Sequence, residues 1–302
     1  MTVGPDSLVD AAARDVIVLD GGLATQLEAQ GCDLSGALWS ARLLADEPEQ
    51  IYAAHRTFFA AGAQVAITAG YQASFAGFAA AGIDADDAAE LMRRGVQLAR
   101  RAAADEPGDG PRWVAASVGP YGAVLGDGSE YRGDYGLSVA ELRAFHRPRL
   151  TVLADAGADV LAVETIPSLA EVEAVVTELD ALGVPAWVCV TADGLRTRAG
   201  EPADEAFAHA AAGRSVGAVG VNCTRPGDVA ALLELAGSVT TKPLVAYPNS
   251  GEDWDAATRT WRGSAGFAAS DVATWIRLGA RLVGGCCRVT PGHITAVAVA
   301  SG

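Results

Sequence analysis

The chain has 302 residues, half of them hydrophobic and 20% charged, so it can bury a large core and lacks the composition of a disordered protein. Its net charge of -15 at neutral pH argues against binding to nucleic acid or to an anionic membrane, because both need clusters of Lys and Arg. The charge is compatible with a cationic small molecule as the ligand.

No stretch approaches the roughly 20 apolar residues that a membrane span needs, and the first ten residues lack a basic segment followed by an apolar run. We therefore expect a cytoplasmic protein. The five cysteines are odd in number, and without a secretory signal they do not indicate a disulfide framework. Metal binding or simple burial is the expectation for them.

Eight short apolar runs alternate with helical stretches, which is the pattern of parallel strands joined by crossover helices. The predicted strands are 16–20, 64–68, 113–119, 159–165, 186–192, 217–223, 243–249 and 281–287. Eight units predict an α/β fold, a (β/α)8 TIM barrel in which residues 1–302 form a single domain. The alternative is an open doubly wound sheet, but Gly21 and Gly22 lack the G-x-G-x-x-G spacing of its phosphate loop.

Several of the intervening helices have recognisable start signals. These are Ser138 with Glu141 and Ser168 with Glu171, both at capping-box spacing, and Thr290 with Pro291 as N-cap and first helical residue. Two connections are unusually long, 120–137 after the third strand and 250–267 after the seventh. Long loops in compact domains are commonly functional, and both would lie at the barrel end where active sites occur.

Three cysteines are predicted to meet at that same end of the barrel. Cys223 ends the sixth predicted strand, and Cys286 and Cys287 end the eighth. Thiolates favour zinc, and a catalytic zinc has three protein ligands with a fourth position open to water or substrate. The alternative is burial as small hydrophobic side chains, the interpretation we prefer for Cys189 in the fifth strand. Cys32 has no evident role.

Adjacent cysteines in a strand would point to opposite faces, so Cys286 and Cys287 can share one metal only if the chain turns there. The preceding glycines, Gly284 and Gly285, permit such a turn. The local sequence therefore favours a metal site over burial for this pair.

Few other residues are candidates for catalysis. All four histidines, His55, His146, His209 and His293, fall within predicted helices, where a surface or packing role is expected. The sequence lacks G-x-S-x-G, H-E-x-x-H and phosphate-loop patterns, which argues against hydrolases, metalloproteases and nucleotide-dependent enzymes. Methyl transfer from a sulfonium donor to a zinc-bound thiolate fits a site with few acid–base residues, because the leaving group is a neutral thioether and needs no general acid.

Seven stretches between Val16 and His293 resemble the zinc-dependent homocysteine S-methyltransferases that use S-methylmethionine or S-adenosylmethionine. They are LDGGLATQLE, LWSARLL, SVGPYGAVLGDGSEYRGDY, VETIP, GVNC, AYPNSGEDWD and GGCCRVTP. GVNC together with GGCC is a specific signature of the homocysteine-binding zinc barrel. The two long loops resemble the S-methylmethionine branch more than the betaine-dependent enzymes. The resemblance implies that homocysteine is converted to methionine, with Zn²⁺ as the cofactor.

The resemblance also implies residue roles. The three cysteines at the barrel rim would bind zinc. Asp20 and Glu164 would bind the amino group of homocysteine, and backbone near Gly21 would bind its carboxylate. On sequence alone, Asp20 could equally cap the following helix, and Glu164 could be satisfied by a neighbouring loop.

Five further residues are candidate substrate contacts. Thr68 and Asn222 end predicted strands at the same rim, where either residue could instead hold a loop. Tyr131, Glu252 and Trp254 lie in the long loops and are candidates for binding the methyl donor, because aromatic faces and carboxylates attract sulfonium cations. Packing beneath the loops is the alternative for the two aromatic residues.

Other functions stay compatible with the sequence. One is methyl transfer from betaine, or to selenium or another thiol. Another is a non-catalytic barrel with a structural zinc or bound thiol, although structural zinc needs four closed ligands and no fourth Cys or His is evident at the rim.

Overall fold

The eight predicted strands are present and parallel in the computed structural model, which describes residues 7–34, 38, 40–108, 110–255 and 260–302, apart from the side chains of residues 40, 253–255, 260 and 261. The strands are β1 Ile17–Val18, β2 Val65–Ile67, β3 Trp113–Val118, β4 Val160–Ile166, β5 Ala186–Val190, β6 Val216–Asn222, β7 Leu244–Tyr247 and β8 Ala280–Val283. Each strand from β2 to β8 pairs with its predecessor or successor in the chain. β1 pairs with β8, and a parallel bridge from Leu19 to Val65 joins it to β2. The sheet therefore closes into the predicted (β/α)8 TIM barrel.

Helices surround the barrel. They are α1 Leu8–Ala12, α2 Leu23–Ala29, α3 Ser40–Asp46, α4 Pro48–Ala60, α5 Phe75–Ala80, α6 Ala85–Asp105, α7 Tyr121–Leu125, α8 Val139–Ala154, α9 Leu169–Leu182, α10 Ala203–Ala212, α11 Pro226–Val239, α12 Ala269–Arg277 and α13 Pro291–Ser301. Within the described residues, no helix has the length and apolar character needed to cross a membrane.

The apolar runs form strands because both faces of each strand are covered. One buried cluster fills the space between the strands and the surrounding helices, and a second fills the barrel interior. The interior contains Trp113, Trp187 and Tyr247 together with residues of α1, which therefore covers the end of the barrel where the strands begin. Cys189 belongs to this interior cluster and is fully buried, consistent with the role predicted for it.

The long loops contain further short elements. Loop 120–137 holds α7 and a 3-10 turn, Ser129–Tyr131. Loop 250–267 holds an antiparallel pair, Asp253–Asp255 with Thr260–Arg262. A second small hairpin, 192–197, follows β5. All three segments follow the C-terminal ends of barrel strands and so lie at the same end of the barrel.

The helix-start predictions are confirmed with one change. Ser138 and Glu141 form a complete capping box, and Thr290 caps α13 with Pro291 as its first residue. Ser168 accepts a hydrogen bond from the Glu171 backbone N–H, but the Glu171 side chain does not return to Ser168. Its carboxyl group instead accepts a hydrogen bond from the Tyr121 backbone N–H and contacts His146.

Gly220 in β6 offers a test of the barrel packing. A Cβ at this position would overlap the Val245 carbonyl of β7, and paired strand backbones cannot move apart locally. We expect Gly220→Ala to lower the free energy of unfolding by about 3 kcal/mol, measured by urea denaturation. The control is Gly227→Ala in α11, where a Cβ meets no atom within 4 Å, and its stability should stay within about 1 kcal/mol of wild type. Equal effects would contradict the strand register.

Candidate active site

A cavity of about 870 Å³, open to solvent at its mouth, lies where the barrel strands end. Its wall includes the ends of β1, β2, β4 and β7 and the turn after β8. The 3-10 turn of loop 120–137 supplies the remaining side. The structure therefore places the cavity at the barrel end that the sequence predicted.

The three predicted metal ligands meet in the wall of this cavity. The Sγ atoms of Cys223, Cys286 and Cys287 all lie within 4.8 Å of one another, and those of Cys286 and Cys287 are 4.0 Å apart. Among the described residues, no other group of three or more His, Cys, Asp or Glu side chains converges in this way. The structure thus brings together residues from two strands that are distant in sequence.

Cys223 and Cys286 are bonded to each other as a disulfide, which the sequence did not predict. Their Cα atoms are 5.6 Å apart, a usual disulfide separation. Thiols close enough to share a metal ion are also close enough to bond to each other when oxidised, which explains the difference. Metal binding by all three cysteines requires that this disulfide be reduced.

The three cysteine sulfurs are soft ligands, and their arrangement fits a bound metal ion. Zinc bound by thiolates has Zn–S distances of about 2.3 Å, which puts tetrahedral sulfurs about 3.8 Å apart. The 4.0 Å between Cys286 and Cys287 matches that spacing. Cys287 is partly exposed and lines the cavity, so a bound metal would face the substrate space.

Gly284 and Gly285 precede the cysteine pair, and neighbouring atoms leave no room for a Cβ at either position. Close packing therefore explains these glycines better than a need for unusual backbone angles. β8 ends at Val283, so both cysteines lie in the following turn and not at the strand end. A Cβ on Gly284 would lie 2.7 Å from the Asp20 carbonyl oxygen, and one on Gly285 would overlap Val289. Cys223 instead carries the conformational strain, with a φ of 46° directly after β6.

Asp20 faces the cavity from the end of β1. It is 1% exposed, its Oδ2 accepts a hydrogen bond of 2.8 Å from the Ile67 backbone N–H, and its Oδ1 has no partner. Gly22 is the N-cap of α2, so the capping interpretation of Asp20 is wrong. Burial raises the pKa of Asp20 well above its usual value; the Ile67 N–H opposes the shift and the negative charge of Glu164 adds to it. One oxygen is left ready for a cationic ligand.

Glu164 faces the same cavity from within β4. The Ser117 hydroxyl donates to its Oε1, and the Tyr247 hydroxyl donates to its Oε2 over 3.1 Å. The Trp187 indole N–H in turn donates to the Tyr247 oxygen over 3.2 Å. Strand residues, and not a loop, therefore hold this carboxyl. Burial raises its pKa to about 7, against the lowering effect of the two hydroxyls.

The other predicted contacts divide into two groups. Gly21, Thr68 and Tyr131 line the cavity. Asn222 does not, because its side-chain amide is used within the fold: Oδ1 accepts from the Thr165 N–H over 2.6 Å, and Nδ2 donates to Thr165 Oγ1 over 2.8 Å. The amide thereby holds Thr165, whose φ is 61°, in the wall. Asn222 therefore holds a residue of strand β4 and not a loop, which differs from both sequence interpretations.

Of the two candidates in loop 250–267, the described residue Glu252 does not line the cavity. Glu252 accepts hydrogen bonds from Arg288 Nε over 2.8 Å and from the Ser250 hydroxyl, so it ties this loop to the turn after the cysteine pair. Trp254 has a described backbone, but its side chain lies outside the described residues.

Sequence reasoning missed several cavity residues. Ser117, Tyr247, Tyr71 and Glu130 all line the cavity. Ser117 and Tyr247 each stand out as polar side chains within an otherwise apolar predicted strand, and that signal could have identified them. Glu130 directly precedes Tyr131, but an acidic residue in a long loop is usually exposed, and only the folded loop buries it.

A buried ionic network holds loop 120–137 in place. Glu171 Oε1 accepts a hydrogen bond of 2.6 Å from the Tyr121 backbone N–H, and it lies 2.8 Å from His146 Nε2. Arg149 Nη2 lies 2.8 Å from His146 Nδ1 and also donates to the Gly119 carbonyl. Burial lowers the pKa of His146 to about 4, and the charge of Arg149 adds to the shift. His146 therefore has the helix-packing role predicted for it, and α8 and α9 fix the start of the loop.

Residues 17–301 match the family model described as homocysteine S-methyltransferase. The homocysteine S-methyltransferase of Escherichia coli K12 is 46% identical, and the alignment covers 94% of each chain. Homocysteine S-methyltransferase YbgG of Bacillus subtilis is also 46% identical, covering 94% of this chain and 93% of the relative. The crystal structure of the E. coli homocysteine methyltransferase MmuM in its metallated form superposes with a TM-score of 0.85 at 44% identity, covering 95% and 96% of the two chains.

The raised pKa of Glu164 predicts a specific dependence of stability on pH. The pKa of Glu164 is about 7 in the folded protein and about 4.5 in the unfolded chain. The folded state therefore binds more protons between these pH values, and the free energy of unfolding falls as the pH rises from about 4.5 to about 7. In metal-free, reduced protein at about pH 8, Glu164→Gln should therefore be more stable than wild type by about 2 kcal/mol. The gain should vanish below about pH 4.5. Urea denaturation across this range measures it.

Glu173→Gln is the control, because this residue of α9 is exposed and far from the cavity lining. Its stability should follow the wild-type curve at every pH. A Glu164→Gln gain that is the same at low and high pH would show that the carboxyl does not change protonation in that range.

Proposed function

Because the chain belongs to the homocysteine S-methyltransferase family, we propose that it transfers a methyl group from a sulfonium compound to the thiol of homocysteine, using zinc held by Cys223, Cys286 and Cys287. The products are methionine and the demethylated donor. The observation that carries the proposal is the convergence of three cysteine sulfurs in a cavity that also holds two buried carboxyl groups. Membership in a family of enzymes removes the non-catalytic barrel from consideration.

Zinc is the metal that we propose because three sulfur ligands select a soft ion, and the metallated relative supports a metal in this family. A bound zinc ion would keep the substrate thiol as its thiolate at neutral pH, whereas a free thiol has a pKa of about 8.5. The required free thiols also favour a reducing compartment, and we propose the cytoplasm.

Asp20 and Glu164 are proposed to bind the amino group of homocysteine. Asp20 Oδ1 has no partner in the protein, and an ammonium group would provide the charge-assisted hydrogen bond that this oxygen lacks. Burial is the main cause of the raised pKa of Asp20, and repulsion from Glu164 is a smaller cause. An ammonium group between the two carboxyl groups would relieve that repulsion. Substrate binding should therefore favour the ionised form of both groups.

Gly21 is proposed to face the substrate carboxylate through its backbone. A Cβ here would lie 2.5 Å from the Val289 carbonyl oxygen and 2.7 Å from the Phe58 ring, so only glycine fits. Thr68 Oγ1 accepts a hydrogen bond of 3.1 Å from the Ser117 backbone N–H, which fixes the cavity wall beside Glu164. Thr68 itself also lines the cavity.

The reaction is a displacement at the methyl carbon. A bond forms between the homocysteine sulfur and the methyl carbon as the bond from that carbon to the donor sulfonium breaks. The electron pair of the breaking bond stays on the donor sulfur, which leaves as a neutral thioether. The thiol proton passes to solvent before the transfer, so the transfer step needs no general base, and the neutral thioether leaves without a general acid. The buried carboxyls orient the substrate and exclude water.

Substitution of the cysteines tests the ligand assignment. Cys286→Ser should lose zinc and methionine formation, with zinc affinity falling by more than the 10 to 100-fold that outer-sphere changes typically cost. Cys189→Ser, which changes a fully buried thiol away from the cluster, should keep both. Metal content and methionine formation measure the two outcomes. Equal effects of the two variants would rule out the proposed ligand set.

X-ray absorption gives a second test that does not depend on turnover. Adding homocysteine to the zinc-loaded protein should add one sulfur to the metal coordination, because the fourth position is open to substrate. An unchanged coordination shell would contradict direct binding of the thiol.

The donor is tested by competition among S-methylmethionine, S-adenosylmethionine and betaine. We expect methionine formation with a sulfonium donor and little with betaine, whose leaving group is an amine. The assay measures methionine from homocysteine with each donor alone and in pairs. Absence of methionine with all three, in protein with stoichiometric zinc, would refute the proposed function.

A further inference from the structure

The cavity is rich in acidic groups and poor in basic ones. Among its described lining residues are three carboxyl groups, Asp20, Glu130 and Glu164, and no Lys, Arg or His. Ligands that fill this space must bring positive charge, because buried carboxylates are costly unless they are paired. The proposed function assigns Asp20 and Glu164 to homocysteine and leaves Glu130 without a role.

Glu130 has an unused oxygen inside the protein. Its Oε2 is buried and has no hydrogen-bond partner. Burial raises the pKa of this carboxyl to about 7; its own backbone N–H opposes the shift, and the nearby charge of Asp127 adds to it. A cation bound at Glu130 would remove most of this cost.

The turn that carries Glu130 is firmly held. Asp127 Oδ1 accepts hydrogen bonds from the Ser129 N–H, over 2.9 Å, and from the Ser129 hydroxyl. Arg132 Nη2 donates to Ser129 Oγ over 2.9 Å. Gly122 packs so closely on this turn that a Cβ there would overlap the Glu130 nitrogen. These contacts fix the backbone from which the Glu130 side chain projects.

Glu130 also lies on a different element from the other two carboxyls. Glu164 belongs to β4 and Asp20 lies just after β1, whereas Glu130 belongs to the 3-10 turn of loop 120–137. Cys287 lines the same cavity as all three carboxyl groups. A substrate sulfur near Cys287 would have one acidic region for its own amino group and a second for another ligand.

We propose that Glu130 binds the amino group of the methyl donor and so distinguishes a donor that carries this group from one that lacks it. This inference rests on the proposed function and adds a specificity-determining residue to it. Tyr71 and Tyr131, which also line the cavity, offer aromatic surface to the sulfonium methyl groups.

The amino group is a better partner for Glu130 than the sulfonium. The sulfonium loses its positive charge during transfer, so a carboxylate placed against it would stabilise the reactants more than the transition state. The charge of an ammonium group is unchanged by the reaction. A carboxylate at that position contributes affinity and orientation without slowing the chemical step.

Binding of two donors to the zinc-loaded enzyme tests this assignment. The probes are S-methylmethionine and its analogue without the amino group, (3-carboxypropyl)dimethylsulfonium, measured by titration calorimetry. Wild type should bind S-methylmethionine at least about tenfold more tightly, and Glu130→Gln should remove about tenfold of that affinity while leaving the analogue within about twofold. In turnover, the KM for S-methylmethionine should rise, with the KM for homocysteine unchanged.

Asp134→Asn is the matched control, because it removes an exposed negative charge from the same loop, paired with Arg132 at 3.5 Å. It should change neither affinity. Glu130→Asp, which keeps the charge, should recover part of the S-methylmethionine affinity and distinguishes loss of charge from a disturbed loop.

Three results would overturn the assignment. These are equal weakening of both probes by Glu130→Gln, no effect on either, or failure of wild type to bind S-methylmethionine. Failure of the proposed function is a separate result, since an enzyme that binds S-methylmethionine through Glu130 but forms no methionine would refute the reaction and leave the binding assignment intact.

Discussion

Closure of the barrel between β8 and β1 is the constraint on which the site depends. Gly284 packs directly against Leu19 and Asp20, so the turn with Cys286 and Cys287 is pressed onto the end of β1. The same contact brings the cysteine pair next to Asp20, while β7 links β8 to β6 and thus to Cys223. The three cysteines and the carboxyl groups of Asp20 and Glu164 therefore line one cavity, because neighbouring strands end at the same level.

The cavity wall contains three carboxyl groups, and two of them have buried oxygens without a hydrogen-bond partner. Asp20 and Glu130 each present an oxygen without a partner, and the pKa values of Asp20, Glu130 and Glu164 are all raised, chiefly by burial. Such an arrangement is costly in the absence of ligand and favourable when ammonium groups enter. Affinity for amino-acid substrates and reduced stability of the empty site then have the same physical origin.

Support for the site extends into the helical layer. The buried contacts among His146, Arg149 and Glu171 fix the first residues of loop 120–137, and the Asp127 and Ser129 contacts fix its turn. On the opposite loop, Glu252 joins Arg288 next to the cysteine pair. Substrate-facing groups are thus held by contacts that do not themselves touch the substrate space, which keeps their positions fixed when the cavity is empty.

The sequence by itself determined the barrel, its strand order and the end at which the site lies. Apolar runs alternating with helices require parallel strands, and parallel strands place their following residues at one end. It therefore also predicted that Cys223 would meet Cys286 and Cys287, and that Asp20 and Glu164 would lie near them. The meeting of the cysteines follows from local patterns and the topology they imply, whereas Asp20 and Glu164 were identified by the family resemblance, with their positions at strand ends as independent support.

Only the tertiary structure decided which side chains reach the cavity. Asn222 and Glu252 looked like substrate contacts because of their positions in the chain, yet their polar atoms are used by Thr165 and Arg288. Glu130 and Tyr247 looked like a loop acid and a strand aromatic, yet both line the cavity. Side-chain direction, burial and competition for hydrogen-bond partners depend on residues distant in sequence, and no local pattern reports them.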